Sequence, residues 1–175
     1  LDCARMAQKK VRDTRNEGYD FYNPEQWEKG KQVAEVINHL PSAIRSGSLY
    51  VWYQPQVNYE TGKITGAEAL CRWDHDQLGF LYPSDFITVL EESGLIYDLD
   101  CFVWDKVCQD LHRWNEQGIR RSVSVNVARS DIREERDIPV QFSRLIQKYG
   151  ITPDVVCLAK AFGGGMPLGG VVSKK

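Results

Sequence analysis

Between Ile64 and Trp73 the chain reads Ile-Thr-Gly-Ala-Glu-Ala-Leu-Cys-Arg-Trp, and no other stretch limits the fold so tightly. With a period of two, Ile64, Gly66, Glu68, Leu70 and Arg72 share one face, and Thr65, Ala67, Ala69, Cys71 and Trp73 share the other. The second face is small and apolar and can pack. The first carries one acid and one base on an otherwise apolar strand, a pairing that asks for a metal and a phosphate.

The surrounding sequence alternates strand-like and helix-like segments. Leu49 to Val57 alternates as a strand and Ile64 to Arg72 forms the next. Pro83 to Glu92 begins a helix with Ser84 as its expected N-cap. From about Tyr97 to Gln117, Leu99, Val103, Val107, Leu111 and Trp114 form an apolar stripe, and Gly118 supplies the stop. Arg121 to Ala128 reads as a strand, Ile138 to Tyr149 as a helix ended by Gly150, and Val155 to Leu158 as a short strand. Upstream, Val33, Val36, Ile37, Leu40 and Ile44 give Pro24 to about Ser46 the spacing of a connecting helix. This order predicts an α/β protein built from crossover units.

Composition removes several classes. A chain of 175 residues with 42% hydrophobic and 26% charged residues has a globular balance and room for one ordinary domain. No apolar run is long enough to span a bilayer, so a cytoplasmic location is expected. A net charge of -2 offers no basic field for DNA. The five cysteines, Cys3, Cys71, Cys101, Cys108 and Cys157, are odd in number and never spaced Cys-x-x-Cys, which argues for reduced, mostly buried thiols. Cys101 and Cys108 would lie about 10 Å apart along one helix, too far for a bridge.

Tyr53-Gln54-Pro55, a turn at Glu60-Thr61-Gly62-Lys63, the Glu68-Ala69-Leu70 strand, Pro83-Ser84-Asp85-Phe86-Ile87, Glu91-Glu92-Ser93-Gly94-Leu95-Ile96 and Val123-Ser124-Val125-Asn126-Val127 occur in one order. In order and spacing, residues 50 to about 154 resemble the first part of the EAL domain family, bacterial phosphodiesterases that linearise cyclic di-GMP, with degenerate members that only bind it. The resemblance implies a partial (β/α)8 TIM-type barrel, first half only, since eight units need about 250 residues. Met6 to Lys10 through Gly18-Tyr19-Asp20-Phe21-Tyr22 looks like the last helix and strand of a GGDEF domain, without that family's catalytic residues.

The pattern breaks after Gly150-Ile151-Thr152-Pro153-Asp154. An EAL domain would continue into a strand bearing another metal-binding glutamate, whereas here Val155-Val156-Cys157-Leu158-Ala159-Lys160 leads into Gly163-Gly164-Gly165. Residues 153 to 172 resemble the pyridoxal-phosphate lysine segment of class III aminotransferases, with Lys160 at the Schiff-base position. The aspartate for the pyridine nitrogen and the phosphate loop are missing, so cofactor attachment at Lys160 is not expected. The expected organisation is a GGDEF-like remnant over 1–23, a helical linker over 24–48, a truncated EAL-like domain over 49–154 and a tail of foreign origin over 155–175, an apparent chimera.

By resemblance, Glu68 and Asn126 match the family's first two ligands for Mg2+ or Mn2+. Arg72 matches a phosphate grip, Gln54 a base or phosphate contact, and Leu70 and Pro83 shape a guanine pocket. The residues alone leave blander alternatives: a solvent-facing Asn126, Glu68 paired with Arg72 four residues on, and Leu70 and Pro83 as packing and turn residues. His39, His75 and His112 read as isolated surface or helix residues, and Trp73 and Trp114 as core aromatics. The expected function is that of a fragment of a cyclic di-GMP signalling protein whose parent hydrolyses the dinucleotide to linear pGpG by a two-metal mechanism. The fragment itself is expected to be inactive, with an open barrel edge that invites dimer pairing or aggregation. The alternatives are a non-catalytic cyclic di-GMP binding module and an aminotransferase represented only by its lysine segment.

Overall fold

The computed structural model describes residues 24–128, 131, 137–151, 155–162 and 168–173. The expected GGDEF-like segment over 1–23, the Pro153-Asp154 junction and the Gly163-Gly164-Gly165 turn lie outside the described residues. Helix α1 spans Pro24–Ser46, followed by strands β1 (Leu49–Val57), β2 (Ile64–His75) and β3 (Gly79–Leu81). Helices α2 (Pro83–Ser93) and α3 (Ile96–Glu116) cross over to β4 (Val123–Ser124), and α4 (Ile138–Tyr149) follows. Strands β5 (Val155–Phe162) and β6 (Leu168–Ser173) form a separate antiparallel pair.

Strand β2 organises the main sheet. It pairs antiparallel with β1, from Leu49 opposite Trp73 to Gln56 opposite Gly66. Its C-terminal end pairs antiparallel with β3, and Ala67 and Glu68 pair parallel with Val123 and Ser124 of β4. The sheet is therefore open, with β1 at one edge. The parallel pair joined through helices is the crossover unit that the alternating sequence implies.

The two faces of β2 divide as its period demands. Ala69, Cys71, Trp73 and His75 are buried, while Glu68, Leu70 and Arg72 are half-buried. The buried face meets Val36, Leu40 and Ala43 of α1, Phe86 and Leu90 of α2, and Leu99, Val103 and Val107 of α3 in one apolar cluster. Trp104 and Cys108 on another side of α3 form a second cluster with Ile138 and Leu145 of α4. Helix α3 is thus packed on two sides, one against the sheet and one against α4. Tyr149 and Lys148 on α4 reinforce the second contact, both reaching Asp105 (3.0 and 2.7 Å).

Three local details differ from the sequence expectation. Tyr82 caps α2 in place of Ser84. Its backbone N–H donates to Asp85 Oδ2 at 2.7 Å and Pro83 takes the first helical position, where its missing N–H costs nothing. Strand β4 is only two residues long because β2 offers it only Ala67 and Glu68 as ladder partners. His75 is a buried residue at the end of β2 and not an exposed one, because the strand continues three residues past Arg72 and keeps its phase.

Candidate functional site

The β1–β2 register places Gln54 opposite Glu68, Trp52 opposite Leu70 and Tyr50 opposite Arg72. Directly opposed residues project from the same face of a sheet, so these six form one surface. Tyr53, on the other face, anchors β1 to α3: its hydroxyl donates to Asp110 Oδ2 at 2.7 Å and its ring meets Trp114 edge-on at 5.0 Å. Trp114 is half-buried in this contact, and Trp73 lies deep in the core.

Asn126 joins the site from β4's exit. Its Nδ2 donates to Glu68 Oε1 at 3.0 Å, across 58 residues of sequence. The close approach of β4 that permits this depends on Gly66. A Cβ there would stand 3.0 Å from the Ser122 carbonyl oxygen and 3.2 Å from Gln56 Oε1. Ala67 N–H donates to that same Ser122 carbonyl at 3.0 Å, and Gln56 Nε2 reaches Ser124 Oγ at 3.4 Å.

Arg72 is not paired with Glu68. Its guanidinium lies 5.2 Å from the Trp52 ring centroid and 5.8 Å from that of Tyr82, with Nη1 donating to the Cys71 carbonyl at 2.7 Å. Its Nε is buried without a hydrogen-bond partner. A guanidinium held near two aromatic faces is pre-organised for an anion. Leu70 lies between Glu68 and Arg72 on this face, half-buried, and Pro83 is half-buried at the start of α2 next to Tyr82.

With its amide nitrogen committed to Glu68, Asn126 keeps its amide oxygen for another partner, and the second Glu68 oxygen remains as well. A carboxylate and an amide oxygen form the start of a donor set for a hard divalent cation. The fit is partial, because two protein oxygens leave most of such a shell to other groups. Residues 155–175 contain no Asp or Glu, so that stretch adds no acid. Lys160 falls in β5 where the pairing with β6 shifts between Ala159 and Phe162.

Glu35, His39 and His75 are a different cluster, with donor atoms within 4.8 Å of one another. His75 Nδ1 accepts from the backbone N–H groups of Gln77 and Leu78, each at 3.2 Å. The ring proton therefore sits on Nε2, the nitrogen a cation would need. His39 Nδ1 lies 2.9 Å from Glu35 Oε2, and the two imidazoles meet edge-on at 5.0 Å. The tautomer makes this a packed polar cluster between α1 and β2, one that sequence spacing could not reveal. His112 faces Glu116 at 3.5 Å along α3.

A groove of about 380 Å³ between α1 and α3 is lined by Leu40, Pro41, Ile44, Arg45, Asp98 and Cys101 among others. None of the site residues lines it.

A buried acid lies behind the site. Asp100 on α3 accepts from Ala128 N–H at 2.9 Å and is hydrogen-bonded to the fully buried Asp131. Burial, followed by that bond to a second carboxyl group, pushes Asp100 up to about 8. Nothing distinguished it in the sequence from the exposed Asp98 two residues earlier. Burial also raises the Cys71 thiol to about 12 and the Cys108 thiol to about 11. Cys71, Cys101 and Cys108 are free thiols, and none of this suggests an activated nucleophile.

The EAL domain family model matches residues 37–159, from within α1 into β5. The chain belongs to the EAL domain family. It is 31% identical over 153 residues to a cyclic di-GMP phosphodiesterase of Pseudomonas aeruginosa, PA2567, covering 86% of this chain and 26% of that protein. It is 35% identical to the oxygen sensor protein DosP of Escherichia coli, covering 86% of this chain and 19% of DosP. The chain thus spans about a quarter or less of the length of these relatives. Among solved structures, the PaMucR phosphodiesterase in complex with c-di-GMP superposes with a TM-score of 0.63 at 26% identity, over 69% of this chain and 49% of that one. The EAL enzyme Bd1971 shares the fold at a TM-score of 0.62 and 21% identity, over 86% of this chain and 39% of that one. The open sheet and its helices correspond to part of the TIM-type barrel of such proteins.

Proposed function

We propose that this chain is part of a cyclic di-GMP signalling protein and that the face bearing Gln54, Glu68, Leu70 and Arg72 binds the dinucleotide with a divalent cation. The observation that carries this reading is the 3.0 Å contact between Asn126 and Glu68. It unites, from β2 and the segment that follows β4, the two residues that match the family's first metal ligands. Glu68 and Asn126 would hold Mg2+ or Mn2+, which supplies Lewis acidity toward a phosphodiester and its attacking water. Arg72 offers a fixed guanidinium to a phosphate oxygen, its plane set by Trp52 and Tyr82. Gln54, opposite Glu68, contributes an amide to a base edge or phosphate, and Leu70 and Pro83 flank the guanine.

The parent protein's activity in this reading is hydrolysis of cyclic di-GMP to the linear dinucleotide by a two-metal mechanism. The 175-residue chain supplies two of the ligands and is a poor catalyst by itself. Incubation with cyclic di-GMP and Mg2+ or Mn2+, followed by chromatography, should give no linear product above a Glu68→Ala control. Metal-dependent turnover above that control overturns the claim of incompetence.

A second reading, dinucleotide binding without cleavage, is favoured by one observation. The Arg72 grip is pre-organised by Trp52 and Tyr82 independently of any metal ligand. Binding that persists in EDTA and in Glu68→Gln would support it over a metal-dependent site. The parent's GGDEF half, its location and its pairing with a second chain belong to the same proposal. No helix among the described residues is long and apolar enough to cross a membrane.

A further inference from the structure

Helix α3 touches the exit of β4 twice, from positions one helical turn apart. Trp104 Nε1 donates to the Asn126 carbonyl at 3.0 Å, and Asp100 Oδ2 accepts from the Ala128 N–H at 2.9 Å. Both side chains are buried. The ladder with β2 ends at Ser124, so the backbone beyond it needs other partners for its polar groups. The two α3 side chains supply them, taking the peptide groups on both sides of Val127. Asp131 closes the turn, with its N–H donating to the Ala128 carbonyl at 3.0 Å and its carboxyl bonded to Asp100.

We propose that Asp100 and Trp104 are positioning residues that fix the backbone at Asn126 so that its side chain meets Glu68, and that the protonated Asp100 carboxyl, through its bond to Asp131, holds this arrangement. The inference rests on the reading of Glu68 and Asn126 as the cation-binding pair. Two carboxyl groups can bond to each other only while one is protonated. Among the described residues, the ionisable groups acting on or acted on by Asp100 are Asp131, Glu91 of α2, Cys71 of β2 and its own neighbour Cys101. Asp131 and Glu91 both disfavour the ionised form of Asp100, so loss of its proton sets Asp100 against Asp131 and loosens the grip on Ala128.

The test is a pH series of nitrogen-edited NMR spectra on the 175-residue chain, following the Ala128 amide and the Asn126 side-chain amide. Both resonances should move together with a midpoint at about 8. Asp100→Asn should remove the titration while keeping the low-pH shifts, because its amide still accepts from Ala128 N–H and donates to Asp131. Trp104→Phe should displace the Asn126 signals without abolishing the Ala128 titration. In parallel, the affinity for cyclic di-GMP with Mg2+ should fall severalfold across the same interval in wild type and stay level in Asp100→Asn. An Asn126 amide that stays still while Ala128 titrates overturns the inference, as does measurable wild-type binding with no dependence on that ionisation. Should Trp104→Phe fail to fold, the wild-type and Asp100→Asn series decide alone. Should the chain bind no dinucleotide, the reading of the site fails, and the spectra still decide the positioning claim.

Discussion

Tyr53 and Asp110 are joined by a 2.7 Å hydrogen bond across 57 residues of sequence, tying the strand that carries Gln54 to helix α3. Asp110 is buried and is also approached by Arg113 at 2.8 Å and Lys106 at 3.7 Å. Burial, then the bond and charge of Asp110, push the Tyr53 phenol above its usual range, so it remains a donor at any ordinary pH. Tyr53→Phe should destabilise the chain by about 1–3 kcal/mol, the cost of a bond to a charged acceptor. The midpoint of urea unfolding checks this, and Tyr53→Phe should weaken dinucleotide binding less than Gln54→Ala does.

Gly66 is required by space and not by backbone torsion. Gly66→Ala would push a methyl group against the Ser122 carbonyl oxygen, which Ala67 N–H already uses. The Gln56 side chain can move aside, but the Ser122 backbone cannot move without opening the β2–β4 pair. A loss of roughly 1–3 kcal/mol is expected, in the range of overpacking in a close-fitted interior. The same variant should separate Asn126 from Glu68 and weaken Mn2+ binding, measured by water-proton relaxation.

Asp100 makes stability depend on pH with a definite sign. Its ionisation is raised from 3.8 to about 8 on folding, so the folded chain binds more protons than the unfolded chain between those values. The stabilisation is fully present below about pH 4 and is lost as pH rises through about 8, at up to ~1.4 kcal/mol per pH unit from this group. Other groups add their own dependence, so the informative quantity is the difference between wild type and Asp100→Asn. Chemical denaturation across this range should show wild type losing stability relative to the variant as pH rises. A difference that is flat would contradict the buried carboxyl pair.

The sequence made much of this legible, for a physical reason. Period two separated Ala69, Cys71 and Trp73 from Glu68, Leu70 and Arg72, and the structure buries the first set while leaving the second half-exposed. Spacing also located Leu49–Val57 and Ile138–Tyr149, where Asp137 caps the helix by accepting from Val140 N–H at 3.1 Å and Gly150 ends it at φ 61°. On α1, by contrast, Val33 is exposed and the buried line runs through Val36, Leu40 and Ala43. Strand β3 leaves no trace in the pattern because three residues are too few to show a period. Trp104 lies off the one apolar stripe that the spacing of α3 shows, because a helix packed on two sides has two. Local spacing leaves Arg72 between Glu68 and a phosphate, and the rings that set its guanidinium, Trp52 and Tyr82, are linked to it by no local pattern.

The central claim is that one face of β1 and β2 binds cyclic di-GMP through Arg72 and a cation at Glu68. Calorimetric titration of the 175-residue chain with cyclic di-GMP in Mg2+ tests it most directly. The account predicts saturable binding that weakens at least tenfold in both Arg72→Ala and Glu68→Gln. No detectable binding, or binding that both variants retain unchanged, would contradict it.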